Sequence, residues 1–137
     1  MTRILAVSIG LALSACASTP QEAGPSTGMP EAIHKAQPRY PRPLAEAGMQ
    51  GCVLVSFVIK PDGRADQYVI LDSVPKGLFD QATLAALNEW RFKQPPRPGR
   101  YAQKIDYRVD APFAIPVQRE CQPVPSFEEL NPGAGQS

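Results

Sequence analysis

The chain is poor in the residues that carry catalysis and metal binding. One histidine occurs in 137 residues, His34, and it stands in a proline-rich stretch with no cysteine or carboxylate cluster around it. A site built on Cys and His ligands has nothing to draw on, and His34 reads as a solvated side chain. The serines, Ser56 and Ser73 included, have no histidine in the predicted domain to act as base. Gly48-Met49-Gln50-Gly51 lacks the lysine of a phosphate loop and leads into a strand, not a helix. Asp62-Gly63 shares two positions with a calcium loop, but the other liganding positions are missing, so it reads as a turn. The expectation is a protein that is not an enzyme and carries no cofactor and no metal.

Two further absences narrow the class. Charge of one sign is not in excess: 14 basic residues face 13 acidic ones, with a formal net charge of +1. Removal of Arg3 with a leader peptide would balance the two at 13 each. A balanced chain has no electrostatic footprint for nucleic acid. Nor does the apolar run at residues 4–13 reach the length needed to span a bilayer as a helix.

What that run does resemble is a leader. Met1-Thr2-Arg3 supplies a positive charge, and the run ends Leu13-Ser14-Ala15-Cys16, similar to a bacterial lipobox. The cysteine of such a motif is lipidated and becomes the new N-terminus. Ordinary cleavage after Ala17 is the rival reading, since Ala15-Cys16-Ala17 also fits a small-x-small pattern. Lipidation at Cys16 is the expectation, with acyl chains worth about 0.8 kcal/mol per buried methylene anchoring the chain to a membrane. Ala17 in place of aspartate favours the outer membrane over the inner. Of three cysteines, Cys16 then goes to lipid, and Cys52 and Cys121 are left to form one disulfide in an oxidising periplasm.

Proline draws the boundaries. Pro20, Pro25, Pro30, Pro38, Pro41 and Pro43 crowd the start, whereas residues 44–94 hold only Pro61 and Pro75. The expected organisation is a leader at 1–15, a flexible tether at 16–36, a domain at 37–112 and an extension at 113–137. A tether of roughly twenty residues would hold the domain about 25 Å from its anchor.

Inside the domain the periods are readable. Residues 41–47 suit a short helix closed by Gly48. Val53, Val55, Phe57 and Ile59 alternate on one face of a strand at 51–60. Pro61-Asp62-Gly63 turns the chain into a second strand at about 65–71, with Tyr68 and Ile70 toward the same core. Phe79, Ala82, Ala86, Leu87 and Trp90 share one face of a helix at about 79–90. Ile105, Tyr107 and Val109 face inward from a third strand at about 101–109. A hairpin followed by a helical crossover returns the third strand beside the first. The predicted fold is α+β: a three-stranded antiparallel sheet of order 2-1-3, both helices on one face, the third strand an exposed edge.

Tyr40-Pro41, the Gly48 and Gly51 pair, Val53-Leu54-Val55-Ser56-Phe57, Pro61-Asp62-Gly63-Arg64, Phe79, Ala86, Trp90-Arg91-Phe92 and Pro98-Gly99 occur in the order seen in the TonB C-terminal family. The chain resembles that family over residues 37–109. The resemblance implies a periplasmic domain that binds the TonB box, a short segment of outer-membrane receptors, as a strand added to the last edge. On this sequence it points to Tyr101, Gln103, Ile105 and Tyr107 on that edge, and to Gln37 and Tyr40 before the first helix. Gln37 and Tyr40 equally suit a structural role in leading the chain into that helix. The implied partners are envelope proteins, TonB-box segments of receptors among them, with the membrane held through the lipid anchor. A packing role in an envelope complex is the alternative, and dimer formation is left open.

The sheet's far face departs from a solvated pattern. Cys52, Leu54, Ser56 and Val58 point away from the helices, joined by Val69 and Leu71. Such a face is polar when it meets water. The extension, carrying Val117, Val124, Phe127 and Leu130, is expected to fold over it, stapled by Cys52–Cys121; otherwise the patch receives a partner.

Overall fold

The computed structural model describes residues 29–94 and 97–134. Its elements in chain order are β1 (Ala32–His34), α1 (Arg42–Glu46), β2 (Gly51–Ile59), β3 (Ala65–Val74), α2 (Asp80–Leu87), β4 (Arg91–Phe92), β5 (Arg100–Tyr107) and α3 (Phe127–Leu130). The main sheet is antiparallel in the order β3-β2-β5, the arrangement expected from the sequence.

β2 is the centre of this sheet, and the reason lies in its composition. Val53, Val55, Phe57 and Ile59 pack on the helix side with Leu87, Trp90, Phe92, Phe79 and Tyr107. Cys52 and Leu54 pack on the opposite side. Every β2 residue except Val58 is buried, so both faces of the strand are withdrawn from water. Each such aliphatic or aromatic side chain contributes about 1.5–3 kcal/mol on full burial.

The hairpin to β3 closes as the sequence implies. Gly63 takes φ +86°, its N–H donates to the Lys60 carbonyl at 2.8 Å, and the Asp62 carboxylate accepts from the Arg64 N–H at 3.0 Å. A Cβ at Gly63 would lie 2.4 Å from the Phe92 carbonyl oxygen, so only glycine fits. β3 runs past the expected end at residue 71, and its pairing with β2 slips between Leu54 and Val55 and again between Ser56 and Val58. Gln67, at φ 51°, lies in the second of these bulges. Bulges on an edge strand twist it away from further pairing.

Three expectations are corrected. The helix expected at 79–90 ends at Leu87, because the Glu89 and Trp90 amides donate to Ala86 and Leu87 and turn the chain toward β4. Trp90 stays in the core, 1% exposed, with its indole N–H donating to the Ala36 carbonyl at 2.8 Å. The last part of the stretch read as tether is structured: β1 pairs antiparallel with β4, and Lys93 meets Glu31 at 2.6 Å. The earlier part of 16–36, the leader and Cys16 lie outside the described residues. Phe127 packs on the helix side of the sheet against Tyr101, with ring centroids 5.3 Å apart, and not on the far face.

The rest of the extension does cross the far face. Ile115 donates its N–H to the Gly48 carbonyl at 2.7 Å, and Val117, Cys121, Val124 and Leu130 pack with Cys52, Leu54, Val74 and Ala102. Cys52 and Cys121 form a disulfide across a Cα separation of 6.0 Å. A second attachment is ionic. Arg119 binds the Asp72 carboxylate through two nitrogens at 2.7 and 2.8 Å, and the Gln122 and Ser73 amides donate to the same carboxylate. These contacts, the Arg119 guanidinium first and the Gln122 amide next, hold the Asp72 carboxyl well below the usual carboxylate range. Coverage is incomplete, since Val69 and Leu71 remain 47% and 41% exposed.

Each attachment has a measurable consequence. Closing a loop of 69 residues predicts that Cys121→Ser lowers stability by about 4 kcal/mol in the chain-entropy model, read from denaturant unfolding of the oxidised protein. Mass spectrometry of that protein is expected to find the Cys52–Cys121 linked peptide and neither thiol free. The depressed Asp72 carboxyl stabilises the docked extension fully above its ordinary value of 3.8, and this support is lost only as pH falls toward the lower folded value. The Gln122 amide resonance is therefore expected to hold still as pH falls through 3.8 and to move below it, whereas in Asp72→Asn it is displaced at neutral pH.

Candidate functional site

β5 pairs with β2 on one side, and among the described residues no strand pairs with its other side. Which main-chain groups face outward follows from Arg100. Its N–H donates to the Asn131 side-chain oxygen at 2.7 Å, and its carbonyl accepts from the Asn131 side-chain nitrogen at 2.9 Å. Arg100 thus spends both groups away from β2. In an antiparallel ladder this direction repeats every second residue, which turns Ala102, Lys104 and Asp106 outward and leaves Tyr101, Gln103, Ile105 and Tyr107 bonded to β2.

The outward edge is partly dressed. The Gln103 side chain donates to the Lys104 carbonyl at 3.1 Å, and its oxygen accepts from Lys35 Nζ at 3.3 Å. Lys35 lies 4.6 Å above the Trp90 ring, and burial there lowers its pKa. On the opposite side, Lys104, Asp106, Arg108 and Glu120 form a network with separations of 3.4–4.0 Å. Exposed pairs of this kind contribute only tenths of a kcal/mol each, but they set the charge that an approaching segment meets.

The residues singled out from the sequence separate into groups. Gln103 and Ile105 are half-buried on the edge, Ile105 touching the helix-side core. Tyr101 and Tyr107 are corrected as side-chain contacts for a partner. They are 2% and 3% exposed, because inward alternation sends both rings into the core. The Tyr101 hydroxyl donates to the Arg97 carbonyl at 2.6 Å, and the Tyr107 hydroxyl shares a hydrogen bond with Thr83 at 2.8 Å. Burial raises the pKa of each. Tyr40 is built in likewise: its hydroxyl donates to the Met49 carbonyl, and its ring meets Phe79 and Tyr107 edge-on at 5.5 and 5.7 Å. Of the pair before α1, only Gln37 is exposed, lining a groove with Arg39, Ala82, Ala85 and Glu89. Cys52 and Cys121 meet in the disulfide, and Cys16 lies outside the described residues.

Sequence reasoning missed Asn131 and Lys35. A signal for the first was present, since Ser126-x-x-Glu129 is a capping-box spacing that announces α3 just before Asn131. No comparable signal marks Lys35, whose place depends on the β1–β4 pairing. Among the described residues no three His, Cys, Asp or Glu side chains gather as a metal site, and no helix is long and apolar enough to cross a membrane.

The family model described as Gram-negative bacterial TonB protein C-terminal matches residues 36–114. Protein TonB of Klebsiella pneumoniae is 37% identical over 86 residues, covering 63% of this chain and 34% of that protein. Protein TonB of Escherichia coli (strain K12) is 36% identical over 70 residues, covering 51% of this chain and 29% of that protein. The chain therefore spans about a third of the length of these relatives. The solution structure of the Pseudomonas aeruginosa TonB C-terminal domain superposes with a TM-score of 0.53 at 30% identity, covering 59% of this chain and 87% of that one. The TonB2 protein of Vibrio anguillarum, at 21% identity, covers 74% of this chain and 100% of that one with a TM-score of 0.50, and is similar in fold.

Proposed function

Because the chain belongs to the TonB C-terminal family, we propose that it is an envelope protein-binding module that receives an extended segment of a partner as a strand on β5. The outward side of Lys104 and Asp106, with which no strand pairs among the described residues, carries this reading, while Ala102 next to them is buried under the extension. Main-chain hydrogen bonds supply affinity in such a mode, and side chains on alternate faces supply selectivity. On the helix side the partner meets Gln103, Ile105 and Lys35; on the far side it meets Lys104, Asp106 and Glu120. Gln37 extends the contact surface beyond the strand. TonB-box segments of TonB-dependent outer-membrane receptors are the partners that family membership favours.

The rest of the arrangement comes from the start of the sequence. A lipid on Cys16, at the outer membrane, anchors the module in the periplasm through a tether over the residues that precede β1. In this arrangement the chain grips a partner. The role is binding and not catalysis.

The second reading, a packing unit of an envelope complex, is supported by the Asn131 and Gln103 side chains that already occupy part of the edge. Titration of isotope-labelled protein with TonB-box peptides separates the two. The binding reading expects the Ala102, Lys104 and Asp106 amide resonances to move most. If those signals stay fixed while peptide binds elsewhere, or if the same amides are already protected in the isolated protein, the packing reading takes its place.

A further inference from the structure

We infer that Asn131 is a built-in stop that fixes how far a partner strand can pair along β5, an inference that rests on the strand-addition reading. A carboxamide carries the same acceptor and donor groups as a peptide unit. The Asn131 side chain makes both bonds to Arg100 that a residue of an added strand would make, at 2.7 and 2.9 Å. It fills the outermost position of the edge, so pairing by a partner ends at Ala102.

The stop is held from several directions. The same Asn131 nitrogen donates a second bond, to the Phe127 carbonyl at 2.8 Å. α3 itself is fixed by reciprocal bonds between Ser126 and Glu129 at 2.7 and 3.2 Å. Phe127 is 4% exposed, with the Arg97 guanidinium 3.9 Å above its ring and Arg97 paired to Glu128 at 3.1 Å. Gly99 makes the approach feasible: at φ +148°, a Cβ there would lie 2.5 Å from the Asn131 side-chain oxygen and 2.9 Å from Phe127 Cζ. Arg100 is fixed from its other end, because its guanidinium binds Ser56 Oγ at 3.1 and 3.2 Å and the Gln67 carbonyl.

Gln103 provides the contrast. Its side chain covers the Lys104 carbonyl with one bond from a half-exposed position, so an added strand displaces it. Asn131 makes three bonds from an anchored turn and stays. The partner that fits is thus a short extended segment spanning Ala102 to Asp106, its chain deflected by α3 at one end. Asn131 lies beyond residues 36–114, so this limit belongs to the extension and not to the matched domain.

Amide hydrogen exchange of the chain, free and with a TonB-box peptide, tests the stop. In the free protein the Arg100 amide is expected to exchange at least about tenfold more slowly than those of Lys104 and Asp106, and Asn131→Ala to remove the difference. With peptide bound, protection is expected at Ala102, Lys104 and Asp106 with Arg100 unchanged, whereas in Asn131→Ala the peptide also protects Arg100. An Arg100 amide as fast as those of Lys104 and Asp106 in the unaltered free protein would overturn the inference, with no variant needed. So would a peptide that displaces Asn131 and pairs with Arg100. A peptide that binds neither protein removes the receptor reading, and with it a partner for the stop to limit; the free-protein rates then decide only whether Asn131 closes the edge.

Discussion

The structure depends on the burial of β2 on both of its faces. A three-stranded sheet with helices on one side ordinarily leaves its other side to water, and the strand pattern adjusts with polar residues there. Here Cys52, Leu54 and Ser56 are each no more than 1% exposed on that side. The far face therefore needs a cover, and the extension provides it by joining Cys121 to Cys52 and Arg119 to Asp72. With β2 closed on both faces, the main-chain groups left for pairing lie at the sheet's edges, although Val69 and Leu71 stay exposed on the far face. β3 is irregular, its register interrupted twice. β5 is regular from Arg100 to Tyr107, and the extension takes up main-chain groups only at its beginning, through Asn131 on Arg100, while Glu120 meets the Lys104 side chain.

The same logic explains why the site is made of backbone. Tyr101, Tyr107 and Tyr40 are the large side chains near the edge, and all three are spent on the core through hydroxyl bonds and ring contacts. What remains for pairing is the outward main chain of Lys104 and Asp106, flanked by amide and charged side chains. Such a surface recognises extended conformation first and side-chain identity second. Relatives of the TonB family share the domain, whereas the strap across the far face and the cap at Arg100 lie in the part that extends past the family match.

Much of this was legible because strong periods leave little choice. The alternation from Val53 to Ile59, the turn at Gly63 and the apolar helix face ending in Trp90 each specify one element and one inward side. Cysteine parity and an apolar far face pointed to Cys52–Cys121 and to the strap. The remainder was hidden for a different reason in each case. β1 and β4 are three and two residues long, too short to carry a period, and they exist only because the chain turns at Trp90. Phe127 looked like a far-face residue by hydropathy, yet α3 rounds the end of β5 and delivers it to Tyr101. Family resemblance points to Tyr101 and Tyr107 as partner contacts, although strand alternation sends both inward. The capping box at Ser126 and Glu129 announces α3, but the role of Asn131 depends on where that four-residue helix ends.

The central claim is that partners use the β5 edge and not the partly covered far face. Site-specific photocrosslinking in intact cells tests it most directly, with the reactive side chain placed at Lys104, at Val69 or at Val124 in turn. The account predicts that position 104 captures a TonB-dependent receptor, identified by mass spectrometry, while positions 69 and 124 do not. Capture of the receptor at 69 or 124 with none at 104 would contradict it, since the far face would then be the binding surface.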